Sequence, residues 1–118
     1  MTLETANKQI NNTISRLEKS LENHKDLLRL LNCNEVKAIL PKLRINIQSV
    51  GCILEVWQKD LGEYSSFNRS AVIILDDKGI HVHLQKEDKL LKTRHPFTTY
   101  DCIKYLKAIA DGKDVALM

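Results

Sequence analysis

The stretch Leu43–Leu61, LRINIQSVGCILEVWQKDL, decides the fold, because its apolar residues satisfy two periods at once. Leu43, Ile47, Val50, Leu54, Trp57 and Leu61 step 4-3-4-3-4, the spacing of one helix face. Against a continuous helix stand Gly51 and a crowd of β-branched residues: Ile45, Ile47, Val50, Ile53 and Val56. Branching at Cβ restricts χ1 in a helix and suits a pleated strand. The segment CILEVWQ also alternates acceptably as a strand. The balance predicts a helix ending near Gly51 and a strand from Cys52 to Gln58.

Upstream, Leu3, Ile10, Leu17, His24 and Leu31 recur every seven residues, with Asn7, Ile14, Leu21 and Leu28 between them. This 3-4 alternation runs for four heptads without Gly or Pro, predicting one long helix over residues 1–32. A 3.5-residue period keeps a single stripe facing a partner helix, so residues 3–31 are read as a self-association element. Asn7 and His24 are the polar members of the seam. The triplet Asn32-Cys33-Asn34 suits a helix end and a fresh cap, with a second helix from about Glu35 that Pro41 kinks or restarts.

Downstream, AVIIL (Ala71–Leu75) and IHVHL (Ile80–Leu84) flank DDKG, a hairpin signal in which Asp76 opens the turn and Gly79 takes the positive φ. In the last segment, Thr98 and Asp101 form a capping pair. Cys102, Ile103, Leu106, Ile109 and Ala110 then make one helix face that Gly112 ends. The expected fold is therefore α+β over residues 1–118 as a single domain. It has two N-terminal helices, a short antiparallel sheet of two to four strands including hairpin 71–84, and a C-terminal helix.

Composition bounds the function. The chain has 118 residues, 43% apolar and 28% charged, as an ordinary globular domain does. No apolar run reaches the roughly 18 residues of a membrane span, so no membrane association is expected. The opening MTLETANKQINN has neither the basic nor the apolar part of a secretory leader. Cys33, Cys52 and Cys102 are widely spaced and odd in number, which argues against a disulfide framework or a zinc finger and for free thiols in a reducing cytoplasm. A net charge of +3 is a weak lean toward anionic partners.

Three stretches are candidates for a site. His81 and His83 share one strand face, roughly 7 Å apart, but no third metal ligand is near in sequence. A polar sheet face is the ordinary reading of such a pair. Because Ala71–Leu75 is apolar on both faces, one of its columns lies beside the histidines. That places His81 and His83 on a boundary where a partner or anionic ligand could dock. In KEDKLLKTRHP (Lys86–Pro96), Glu87 and Asp88 offset half of the four cations, which suits a solvated loop or edge. Arg94 and His95 precede the capped helix, where they and Thr98 or Thr99 could hold a phosphate or carboxylate. In YSSFNRS, Tyr64, Phe67 and Arg69 could stack and hold a base, or simply tie down a connection.

No nucleophile signature, glycine-rich phosphate loop or metal motif occurs, so no catalytic residue, metal or cofactor is assigned. The expected function is a non-catalytic, oligomeric binding or regulatory protein acting through protein or small anionic ligand contacts. An inhibitor or accessory factor of a mobile element has these properties. The runner-up is a nucleic-acid-binding factor using Arg69, Lys86, Lys89, Lys92 and Arg94. The third reading is a metal- or nucleotide-dependent hydrolase centred on His81 and His83.

Overall fold

The computed structural model describes residues 1–48, 50–59, 69–87 and 89–118. Helix α1 spans Leu3–Asn32, and Thr2 caps it by accepting a hydrogen bond from the Thr5 amide. The chain turns extended at Cys33 and enters the short helix α2, Asn34–Ile39. Pro41 then falls in a single 3-10 turn, Leu40–Lys42, because the ring has no N–H to continue the α-helical ladder.

The two-period segment resolves as a hairpin. Strand β1 is Leu43–Gln48 and β2 is Ile53–Gln58, antiparallel, with Ile47 opposite Leu54 and Ile45 opposite Val56. The expected helix up to Gly51 is thus replaced by a strand. Gly51 and Cys52 both take positive φ, +91° and +51°, and reverse the chain where a helix would have continued. The β-branched residues win because they gain a second strand to pack on.

Strands β3 (Ala71–Asp76) and β4 (Gly79–Lys86) form the expected hairpin. The Asp76 carboxylate accepts from the Lys78 amide, and Gly79 has φ +116°. A fifth strand, β5 (Lys89–Arg94), lies where a solvated loop or edge was expected; it is an edge strand, largely exposed. Among the described residues the sheet therefore has five strands, not two to four, in the simple order β1-β2-β3-β4-β5. A register shift between Leu84 and Gln85 bends it against β5. Thr98 and Asp101 make the expected capping box before a 3-10 turn (Thr99–Cys102) that runs into α3, Ile103–Ala110. Gly112, at φ +76°, follows its end.

One sheet face carries the core. The row Leu54, Ile73, Val82 and the row Ile45, Val56, Ala71, Leu84 form one core with residues of α2, α3 and the last turns of α1, while Ile47, at the end of the first row, is exposed. On α1, Asn23, Leu27 and Leu30 are the buried residues, whereas all of residues 1–22 except Ala6 are exposed. The helix thus projects from the body, and the long axis of the molecule is 57 Å. Among the described residues, no helix is long and apolar enough to cross a membrane.

Candidate functional site

The alternation of β4 sends Ile80, Val82 and Leu84 toward the core and His81, His83 and Gln85 to the opposite face. There, one row crosses the whole sheet: Asn46, Glu55, Val72, His83, Thr93. His83 Nδ1 lies 3.2 Å from Thr93 Oγ1, and His81 Nε2 lies 3.0 Å from Asp76 Oδ1. The His81 and His83 rings are nearly parallel at 6.4 Å, and His95 packs edge-on against His81 at 4.9 Å. The sequence pair is therefore a trio, completed by a residue from the loop after β5.

The trio has the geometry of packed rings. Stacked and edge-to-face imidazoles do not aim their nitrogens at a common point. Among the described residues no three His, Cys, Asp or Glu side chains are placed to hold a metal ion. Thr93–His83 and Asp76–His81 are likewise two separate pairs rather than a relay, since no hydrogen bond joins the two rings. Burial holds the His83 pKa below its ordinary value, and the neighbouring His81 and His95 push in the same direction. Burial works against the Asp76 carboxylate, but the Lys78 amide and His81 outweigh it and its pKa is lowered.

Arg69 makes an intramolecular ion pair. It pairs with Glu55, which is buried on β2, and Asn46 and Gln48 of β1 donate to the other Glu55 oxygen at 2.9 and 2.8 Å. Burial alone would raise the Glu55 pKa, yet the bonds from Asn46, Arg69 and Gln48 hold it low. Tyr64 and Phe67, expected beside Arg69, lie outside the described residues. Other cations of the proposed nucleic-acid set are also engaged. Lys86 lies 3.7 Å from Asp114, Lys92 donates to the Ala116 carbonyl, and Arg94 sits half-buried on the core-facing side of β5, opposite Val82. Lys89, the remaining member of the set, is exposed at the start of β5.

Thr98 is spent on capping: its amide and hydroxyl both donate to Asp101 Oδ2 at 2.9 Å. The carboxylate that an anion would imitate is therefore supplied by the chain itself. Thr98, Thr99 and His95 do, however, line a cleft of about 990 Å³ between α1 and residues 95–100. Its floor is Leu30, Leu75 and Ile80, and its outer lip is Pro96, Phe97 and Tyr100. Phe97 is 95% exposed. The sequence singled out the polar residues of this loop and missed Phe97, whose only signal was a large apolar side chain between Pro96 and a capping threonine.

A further surface feature is the α1 seam. Leu3, Ile10, Leu17, Leu21 and Leu28 are 55–78% exposed, and Ile14 is 45% exposed. At about 100° per residue, the seam lies roughly 140° around α1 from the buried Asn23, Leu27 and Leu30. Leu3, Ile10, Ile14, Leu17, Leu21 and Leu28 therefore do not serve the intramolecular core, whereas Leu31 is half-buried against it and His24 is partly covered. All three cysteines are free, Cys33 half-buried and Cys52 and Cys102 buried. Burial pushes the Cys102 thiol up to about 12 and also raises Cys52, so neither is poised as a nucleophile.

No protein-family model, curated protein or solved structure matches the chain, so these surfaces are read on their chemistry alone.

Proposed function

We propose that this protein is a non-catalytic, homo-oligomeric binding or regulatory factor in which α1 joins the copies and the folded bodies carry the docking surfaces. The observation that carries the reading is the exposed heptad seam on the side of α1 turned away from its own body. Its six apolar side chains expose on the order of 600 Å² per copy, close to the roughly 800 Å² each partner gives to a standard interface.

The projecting half also needs a partner to remain helical. Asn7, Asn11, Asn12 and Thr13 are poor helix formers, and Ile10 and Ile14 are β-branched. A solvated helix of that composition frays, since packing supplies most helical stability in proteins. A second copy offers the matching 3.5-residue stripe. In a parallel pair, Asn7 meets Asn7 and His24 meets His24; in an antiparallel pair that sets Leu3 against Leu28, Asn7 meets His24. In either orientation the polar seam residues meet each other, and Asn7 helps to fix the register.

The test is a pair of glutamates in the middle of the seam, Leu17→Glu with Leu21→Glu. Both positions are exposed, so the body should stay folded while the solution mass falls from a multiple of the chain to a single chain. An unchanged mass would remove the reading.

A further inference from the structure

We propose that the cleft between α1 and residues 95–100 is a docking groove for an acidic peptide segment with an apolar or aromatic anchor. The inference deepens the binding role proposed above, but it does not need self-association, because the groove and the seam occupy different sides of α1.

The shape favours a peptide over a small molecule. One wall is α1 from Lys19, past Asn23 and Asp26, to its C-cap Cys33, 14 steps or about 21 Å. An extended chain advancing about 3.3 Å per residue would lay some six residues along it. The volume, about 990 Å³, is at the upper end of small-molecule sites, and the trough opens to solvent along its length.

The lining favours an amphipathic occupant. Leu30 and Leu75 are buried beneath it and Ile80 is half-buried, so the floor is apolar. Phe97 stands free at the lip, with Pro96 beside it limiting the loop's freedom. An apolar side chain seated on that floor would be covered by Phe97 and would remove both from water.

Charge sets the sign. Lys19 on α1 and Lys78 on the β3–β4 turn line the groove from different elements. The one carboxylate in the lining, Asp26, is already held by Arg29. Carboxylates of a bound segment would find two lysines and no free acid, which steers and orients an acidic partner. Nucleic acid fits less well, since a phosphate track needs more cations than these and no apolar floor.

A phage-displayed library of random 12-residue peptides, panned on the wild-type protein and counter-selected on the Phe97→Ala, Lys78→Glu double variant, tests the proposal. The expected consensus carries a net negative charge and an aromatic or aliphatic anchor. A synthetic consensus peptide, titrated by fluorescence anisotropy, should bind at least about tenfold more weakly to each single variant. Its affinity should fall with salt and survive Leu17→Glu with Leu21→Glu, which separates this proposal from self-association. Both substituted side chains are solvent-exposed, so circular dichroism should match the wild type. Failure to enrich peptides over the double variant, a basic or uncharged consensus, or equal binding by Phe97→Ala would overturn the inference. So would a 12-nucleotide single-stranded DNA that binds in a Phe97-dependent way more tightly than the peptide.

Discussion

Asn23 on α1 donates a hydrogen bond from Nδ2 to the main-chain carbonyl of Asp76 at the end of β3, 3.3 Å away. It is the buried polar residue of α1 and lies beside Leu27 and Leu30, so it fixes which side of the helix meets the sheet. The outward direction of the seam follows from that contact. Asp76 is a shared anchor, since its carboxylate also closes the hairpin turn and holds His81.

Replacing Asn23 by Ala should destabilise the protein by about 1 kcal/mol, the usual net loss of one buried hydrogen bond. Urea unfolding followed by circular dichroism would read it. A change within a few tenths of a kcal/mol would mean that the apolar contacts of Leu27 and Leu30 alone set the docking of α1.

Glu55→Ala should be the more damaging substitution. It removes a buried carboxylate and strands Arg69 with Asn46 and Gln48, and breaking a buried pair of this kind costs about 3 kcal/mol. Glu55→Gln, which keeps an acceptor, should lose less. Because the Glu55 pKa is depressed on folding, its contribution is present above the ordinary carboxylate range and is lost as pH falls through the folded value.

His83 predicts a second pH dependence, of opposite ionic character. Its folded pKa lies below the ordinary 6.5, so the unfolded chain takes up the proton first as pH falls. Stability should therefore decline from about pH 6.5 down toward the folded pKa and be flat above it. His83→Gln should flatten that slope. Thermal melts at half-unit pH steps would show it, and identical slopes in the two proteins would contradict the burial of the ring.

The thiols should separate by accessibility. In the folded protein near pH 8, a thiol-reactive dye should label Cys33 fastest, with Cys52 and Cys102 protected until denaturant is added. Rapid labelling of Cys102 would show that the core around α3 opens readily.

The long helix, its seam, the 71–84 hairpin and the Thr98–Asp101 cap were legible because each rests on spacing or turn chemistry within a few residues. Leu43–Gln48 was not, since Leu43, Ile47, Val50 and Leu54 fit a helix face and a paired strand alike; the partner strand, distant in neither sequence nor space, broke the tie. Strand β5 was hidden because Leu90 and Leu91 are adjacent at an irregular register and so spoil the alternation. For the candidate site, the common face of His81 and His83 followed from a two-residue period. The arrival of His95, and the meeting of Lys19 with Phe97 across a groove, depend on where the chain travels between elements. No local pattern encodes that path.

Sedimentation equilibrium of the wild-type protein over a hundredfold range of concentration tests the central claim most directly. The account predicts a mass that rises from one chain to a dimer as concentration increases, with the helical signal of α1 rising in step. A mass of 13.5 kDa throughout, with full helicity retained, would contradict it.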